Sequence, residues 1–138
     1  DFGKIETNIG RHPRDRKRQA VLKTSGRKAI THYKLLKSYF EGALSLIECK
    51  LETGRTHQIR VHFEHLKMPL VGDQVYKGNP NQKKSGQLEP SVFKALNDFP
   101  RQVLYSKYIA FYHPQSEERL EFEVDYPEDI KQILDMLG

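Results

Sequence analysis

The stretch Leu51–Lys77, LETGRTHQIRVHFEHLKMPLVGDQVYK, is richer in chemically active side chains than any other part of the 138-residue sequence. Gly54 permits a tight or left-handed turn, and Thr56 is a suitable helix N-cap. Pro69 ends whatever helix precedes it, because proline disfavours helical continuation. The pattern predicts a short helix over residues 57–66.

Within this predicted helix, Ile59, Phe63 and Leu66 follow one another at helical spacing and are expected to form the buried stripe. Three basic side chains lie at or near its start: Arg55, His57 and Arg60. Positive charge beside the free N–H groups of a helix N-terminus predicts a site for a carboxylate or a phosphate. An ordinary solvated amphipathic helix is the alternative, and the residues alone leave both open.

Alternating apolar and polar residues predict a chain dominated by strands. The expected strands lie at residues 5–9, 19–22, 28–37, 44–51, 107–113 and 119–125. A short helix is expected over residues 91–96 and another from Pro127 to the C-terminus, whereas the polar residues 77–90 are expected to form a mobile loop. The order is no regular strand–helix alternation, so the predicted class is α+β, with a mixed, largely antiparallel β-sheet and a few short helices.

Two details of the strands concern the core. In the last predicted strand, Leu120, Phe122 and Val124 alternate with charged residues and are expected to face inward. Cys49 lies in the predicted strand 44–51, with no thiolate-stabilising partner beside it in sequence. It is therefore interpreted as a core residue and not as a nucleophile.

Composition narrows the class of protein. A single cysteine excludes a disulfide framework, and no signal peptide or apolar run of about 18 residues is evident, so a cytoplasmic protein without a membrane partner is expected. The net charge of +5 is concentrated in RHPRDRKR, which holds five Arg or Lys residues and one Asp. This basic segment, residues 11–18, predicts phosphate contacts to a nucleic acid, with a solvated loop as the alternative. The candidate residues are Arg11, Arg14, Arg16, Lys17 and Arg18.

Read as a motif, L-x-T-G-R-T-H-Q-I-R-V-H followed by P-L-V-G-D-x-x-Y resembles the signature of the RluA-type RNA pseudouridine synthases. Three other segments resemble later parts of that family's catalytic domain, in the same order: GKIETNIGR from Gly3, GRKAITHYKLL from Gly26 and RQVLYSKYIAFYHP from Arg101. The resemblance covers nearly the whole chain. Since the first residue is Asp1 and not Met, residues 1–138 are interpreted as the C-terminal portion of one such catalytic domain.

The resemblance implies an enzyme that isomerises uridine to pseudouridine in ribosomal or, less favoured, transfer RNA, without cofactor or metal. In the family, an aspartate in an R-L-D motif acts on the nucleotide and an aromatic residue stacks on the base. Neither motif occurs in this sequence, so the chain alone is expected to be inactive. The family's second motif arginine pairs with the aspartate, and this role falls to Arg60, whose planar guanidinium suits a carboxylate.

The resemblance also implies supporting roles. Arg55, His57 and Gln58 contact RNA phosphate or brace the loop by hydrogen bonds; the sequence does not separate these readings, and bracing is favoured for the last two. Leu70 and Val71 are interpreted as part of an apolar wall beside the uracil. Nothing in the sequence indicates an oligomeric state.

Several tempting assignments are rejected. Tyr33 lies in the wrong segment to stack on the base. Asp73 closes the turn after the motif helix and is assigned a bond to a neighbouring arginine or backbone N–H instead of a catalytic role. Lys67-Met68 and Tyr105 depart from the family pattern without touching the assigned chemistry. No metal site is predicted from the three motif histidines, which lack zinc-site spacing: His57, His62 and His65.

Two other functions fit the residues less well. A non-catalytic RNA-binding module would use the same basic segment but would have no upstream aspartate in an R-L-D context. A phosphate-handling enzyme built around the Arg/His helix would need a nucleophile and a P-loop, and the sequence offers neither.

Overall fold

The computed structural model describes residues 1–77 and 86–138, which form six strands and three α-helices in two compact units, residues 1–102 and 103–138. The strands are β1 (Phe2–Arg11), β2 (Gln19–Leu22), β3 (Arg27–Tyr39), β4 (Leu44–Leu51), β5 (Tyr108–Tyr112) and β6 (Arg119–Glu123). The helices are α1 (Gln58–His65), α2 (Pro90–Asp98) and α3 (Glu128–Leu137), and a 3-10 turn covers Phe40–Gly42.

The first unit is built on a four-stranded sheet in the order β2-β1-β3-β4, with every pair antiparallel. The predicted α+β class and antiparallel pairing are confirmed, and β3 and β4 form a hairpin. Ile5 lies opposite Thr31 and Thr7 opposite Ala29, so these four residues share one face of the sheet. That face is the one against which α1 packs.

The core of the first unit lies between this face and α1. Four buried residues form its central cluster: Ile9, Ala29, Val61 and Tyr76. Val21 and Val75 pack against the cluster from its edge. One residue each from β1, β3, α1 and the following turn therefore holds the motif helix in a fixed place on the sheet.

Element boundaries differ modestly from the predicted ones. β1 is longer than residues 5–9 because its pairing with β3 continues from Phe2 to Ile9. α2 begins at Pro90, one residue before the predicted start, with Glu89 as its N-cap, because proline is well suited to the first helical turn. Of the loop predicted at 77–90, residues 78–85 lie outside the described residues.

The second unit pairs β5 with β6 in an antiparallel hairpin followed by α3. The expectation that the apolar side chains of the last strand face inward is wrong: Phe122 is 53% exposed and Val124 is 55% exposed, with only Leu120 half-buried. Phe122 instead stacks on Phe111 across the hairpin, with ring centroids 5.9 Å apart. Alternation reveals that one face of a strand is apolar, but it does not reveal what covers that face.

None of the helices in the described parts of the chain has the length and apolar character needed to cross a membrane.

Candidate functional site

The motif helix begins in an unusual way. His57, the N-cap of α1, has a left-handed backbone with φ 57° and ψ 24°, and no side chain caps the helix. The predicted cap at Thr56 and the predicted left-handed option at Gly54 are therefore not used. A non-glycine residue in this region is strained by roughly 1 to 3 kcal/mol, so the surrounding contacts must hold it there.

Gln58 makes the first group of contacts that hold the start of α1 in place. It is 3% exposed, and its Nε2 donates to the Ile30 carbonyl and to Thr31 Oγ1, both at 3.0 Å. Its Oε1 accepts from Thr53 Oγ1 at 2.8 Å and from the Arg55 N–H at 3.0 Å. The two donors and two acceptor positions of the amide are thus all used inside the chain. The side chain of Gln58 therefore braces the loop, and none of its hydrogen-bonding groups remains for RNA.

His62 makes the second group of contacts, and its importance is not evident from the sequence. It is fully buried, with Nε2 2.8 Å from Thr7 Oγ1 and Nδ1 2.8 Å from Thr31 Oγ1. Burial, with a smaller effect from the charge of His65, lowers the pKa of His62 to about 4. The imidazole is therefore neutral at pH 7 and links α1 to both β1 and β3.

The buried face of α1 is consequently different from the predicted stripe. Phe63 is buried as expected, but Ile59 is only half-buried and Leu66 is 36% exposed. The face that packs on the sheet carries Gln58, Val61 and His62 instead. The sequence did hold a signal for this face. Gln58 and His62 lie four positions apart, so they share one side of the helix and can bond to threonines of the sheet.

Arg60 forms a two-point ion pair with Asp73. Its Nε donates to Oδ2 at 2.8 Å and its Nη2 to Oδ1 at 3.0 Å. The Asp73 side chain is fully buried, and Oδ1 also accepts the N–H groups of Val75 and Tyr76 at 3.0 and 2.9 Å. The predicted contacts of Asp73 with an arginine and with backbone N–H groups are therefore present.

The charges of this pair are settled by their surroundings. Burial acts to raise the pKa of Asp73, but the Arg60 hydrogen bond and the two N–H groups outweigh it, so the pKa lies below its ordinary value. The bond to Asp73 in turn raises the pKa of Arg60. A fully buried, ionised carboxylate with its oxygens occupied cannot attack a substrate, and its two bonds to Arg60 fix the orientation of the guanidinium.

One edge of the Arg60 guanidinium stays available. The bonds to Asp73 use Nε and Nη2, and among the described residues Nη1 makes no hydrogen bond. The Arg60 side chain as a whole is 12% exposed. Such an edge can accept a second carboxylate in the end-on geometry that guanidinium groups favour.

Tyr76 connects Arg60 to the basic segment. It is 3% exposed, and the Cζ atoms of Arg60 and Arg18 lie 5.0 and 5.1 Å from its ring centre. The Gln19 N–H donates to its hydroxyl at 2.9 Å, and His57 Nδ1 lies 2.9 Å from the same oxygen. The sequence reasoning missed this residue, although it closes the G-D-x-x-Y part of the motif.

The remaining candidate RNA contacts fall into two groups. The segment's other four cations have exposed side chains: Arg11, Arg14, Arg16 and Lys17. The segment itself is folded, because His12 Nδ1 accepts the N–H groups of Arg14 and Asp15 at 3.1 and 3.0 Å. Arg55 Nε donates to the Lys28 carbonyl at 2.8 Å, which occupies one of its donors.

The other predicted residues lie near this cluster or are chemically inert. Leu70 and Val71 are half-buried in the turn that follows α1, where the Asp73 N–H donates to the Leu70 carbonyl at 3.2 Å. Burial, with the charge of Glu48, raises the pKa of Cys49 to about 11, so its thiol stays protonated. In the described part of the chain no three His, Cys, Asp or Glu side chains are grouped so as to hold a metal ion.

Residues 1–65 match the family described as RNA pseudouridylate synthase. The chain is 47% identical over 135 residues to the ribosomal large subunit pseudouridine synthase D of Neisseria meningitidis serogroup A, covering 98% of the chain and 34% of the relative. It is 37% identical to the protein of the same name from Salmonella typhimurium, covering 98% of the chain and 40% of the relative. An RNA pseudouridine synthase described as uncharacterised, from Aquifex aeolicus, is 38% identical, with 99% and 41% covered.

The fold is similar to that of two solved human proteins. RNA pseudouridylate synthase domain containing 1 superimposes with a TM-score of 0.65 at 24% identity, over 91% of this chain and 49% of its own. RNA pseudouridylate synthase domain containing 4 gives the same TM-score at 21% identity, over 99% and 56%. The chain therefore spans about a third to two fifths of these bacterial relatives and about half of the human chains. The sequence matches, together with the motif around Arg60, establish that this chain belongs to the RNA pseudouridylate synthase family.

Proposed function

We propose that the protein containing this chain isomerises uridine to pseudouridine in structured RNA, with ribosomal RNA favoured over transfer RNA. The observation that carries the proposal is the guanidinium of Arg60, fixed on Asp73 by one edge while Nη1 makes no hydrogen bond within the described residues. Family membership over residues 1–65 and the names of the bacterial relatives support the reaction and the RNA class.

In the proposed reaction the bond between the ribose and N1 of uracil breaks and a bond from the ribose to C5 forms in its place. C5 releases its proton and N1 takes up a proton, so the product is an isomer of the substrate. Arg60 holds a catalytic aspartate with its free edge, keeping that carboxylate ionised and oriented. No R-L-D motif occurs in the 138 residues, so this aspartate belongs to polypeptide outside them. The chain is therefore the C-terminal portion of the catalytic domain and is inactive alone.

Substrate RNA is held by the exposed cations of the basic segment and by Arg55, with Leu70 and Val71 beside the target base. Within residues 1–77 and 86–138, four exposed cations of the basic segment form no ion pair with a carboxylate: Arg11, Arg14, Arg16 and Lys17. This favours phosphate contacts over an intramolecular role. Taking the base out of its stack costs a few kcal/mol, which these contacts must offset. Modification of ribosomal RNA by this protein would also take place in the cytoplasm, the location that the sequence predicts.

The proposal is tested by tritium release from RNA labelled at uridine C5, using the full-length protein. Wild-type protein is expected to release tritium, and Arg60→Ala is expected to lower kcat by about 100-fold or more, since a charge that orients the reacting group is lost. Arg60→Lys is expected to be nearly as impaired, because an ammonium group cannot bind two carboxylates in planar geometry. Arg119→Ala, which removes a cation from the β6 hairpin, is the control and retains activity.

The isolated chain of residues 1–138 should release no tritium under the same conditions. Release by this chain would contradict the assignment of the catalytic aspartate to polypeptide outside it. No release by the full-length protein from any cellular RNA, with RNA binding intact, would favour the alternative function, a non-catalytic RNA-binding module that uses the same basic segment.

A further inference from the structure

Tyr76 is a buried tyrosine at the meeting point of two functional elements. Its ring lies beside the guanidinium groups of Arg60 and Arg18, at 5.0 and 5.1 Å, both within the range of favourable cation–π contacts. Its hydroxyl accepts the N–H of Gln19, the first residue of β2 after the basic segment. Tyr76 is thus in contact with the α1 arginine and with the end of the RNA-contacting segment at once.

Arg18 differs from the other cations of its segment. Its side chain is only 28% exposed, and its contact with Glu64 Oε1 is long, at 3.5 Å. In the described residues, Arg18 Nε is the only buried side-chain nitrogen or oxygen without a hydrogen-bond partner. The Tyr76 ring is therefore a principal neighbour of the Arg18 guanidinium, and the segment is anchored to the site through it.

We propose that Tyr76 is a positioning residue that couples the binding of RNA phosphates by residues 11–18 to the placement of Arg60. This inference rests on the proposed function and deepens it. The ring supports both guanidinium groups, whereas the hydroxyl fixes the end of the basic segment and the side chain of His57. The two parts of the side chain therefore have separable tasks.

A role for Tyr76 in stacking on the target base is incompatible with its surroundings. The residue is 3% exposed, and its ring also makes an edge contact with the His57 ring at 5.7 Å between centroids. The two guanidinium groups and the imidazole leave no accessible ring face for a nucleobase. Tyr76 acts on the reaction through Arg60 and not by touching the substrate.

The first test compares two substitutions in the full-length protein by tritium release. Tyr76→Phe keeps the ring but leaves the Gln19 N–H without its acceptor, so the KM for RNA is expected to rise about fivefold with kcat within about twofold of wild type. Tyr76→Leu also removes the ring, so kcat is expected to fall at least about fivefold as well. Tyr33→Phe is the control, because Tyr33 packs on Phe63 of α1. It is expected to change neither KM nor kcat.

The second test is a double-substitution cycle. Arg14→Gln with Arg16→Gln weakens phosphate binding in the wild-type background, and the same pair should weaken it at least about threefold less in the Tyr76→Phe background. Additive effects would overturn the coupling. So would a Tyr76→Phe variant with lowered kcat and unchanged KM, since loss of folded protein alone lowers the apparent kcat.

A third measurement does not depend on activity. The Nε–H signal of Arg60, assigned in the ¹H–¹⁵N spectrum by its loss in Arg60→Lys, is expected to shift when a short RNA duplex is added to the wild-type protein, and not when it is added to Tyr76→Leu. An equal shift in both proteins, or none in either, would contradict the coupling. Absence of tritium release by the wild-type protein would remove the proposed function, and the spectra would still decide the inference.

Discussion

At the scale of single residues, the buried imidazole of His62 gives the fold a defined pH dependence. Its pKa is lowered from 6.5 to about 4 by burial and by His65. Between about pH 4 and 6.5 the unfolded chain binds this proton more readily than the folded chain does. The contribution of His62 to the free energy of unfolding is therefore fully present above about pH 6.5 and is lost as the pH falls toward 4. The expected loss is on the order of 3 kcal/mol, because each pKa unit is worth about 1.4 kcal/mol.

The measurement is the free energy of unfolding by urea at several pH values between 4 and 7. His62→Gln, which keeps hydrogen-bonding capacity toward the threonines but does not titrate, is expected to remove most of this slope. His65→Gln changes an exposed histidine of the same helix and is expected to keep it. Equal slopes in wild type and His62→Gln would refute the assignment.

Residue roles were predictable where they depend on local chemistry. An aspartate in the turn after a short helix lies within reach of an arginine or of backbone N–H groups, so this type of bond was predicted for Asp73. That the arginine is Arg60, which was assigned to a different aspartate, was not predicted. The tasks of His62 and Tyr76 depend on partners 55 and 57 positions away, Thr7 and Gln19. Contacts at that separation are decided by the packing of α1 on the sheet, which spacing along one element does not reveal.

At the scale of elements, the turn after α1 depends on the absence of a side chain at Gly72. Its φ is +80°, and a Cβ atom there would overlap the carbonyl oxygen of Arg101 and lie 3.3 Å from the Phe99 ring. Gly72→Ala is therefore expected to lower the free energy of unfolding by about 2 to 4 kcal/mol. Since Asp73 follows directly, the activity should fall as well.

Urea unfolding at pH 7 measures the change, and Gly54→Ala is the matched control. Gly54 lies at the other end of the motif and has no left-handed φ. Apart from its two chain neighbours, no residue in the described part of the chain has an atom within 4 Å of the position that an alanine Cβ would take. Its substitution should alter stability by less than about 1 kcal/mol. A Gly72→Ala protein as stable as Gly54→Ala would show that the turn can move away from Arg101.

Strands and helices were predicted best where apolar residues alternate with a period of two or where a proline or glycine ends the element. β2 and β4 have the predicted bounds, residues 19–22 and 44–51, and α1 is shorter than its prediction by one residue at each end. The face of α1 was predicted less well, because a polar face built from Gln58 and His62 bonds to threonines of the sheet and so replaces apolar packing. Apolar spacing alone cannot identify a helix face that is buried through hydrogen bonds.

At the scale of the whole molecule, the α+β class followed from the order of strands and helices, whereas the division into units of residues 1–102 and 103–138 did not. Nothing in composition changes at residue 103, and the exposed Phe122 and Val124 occupy positions that look like core in the sequence. Charge is the molecular property that the sequence conveys most directly. The basic segment is exposed at four of its five cations, so its effect should appear in the salt dependence of RNA binding.

The affinity of the full-length protein for RNA is expected to fall steeply with salt, because each phosphate contact releases a counterion. Replacing Arg11, Arg14, Arg16 and Lys17 by Gln should reduce the slope of log affinity against log salt by about 3, at about 0.7 to 0.9 per contact. Filter binding at several salt concentrations between about 50 and 200 mM provides the measurement. Lys131→Gln, which removes an exposed cation from α3, should leave the slope unchanged. If the fourfold variant keeps the wild-type slope, the segment is a solvated loop, and RNA is bound by another surface of the protein.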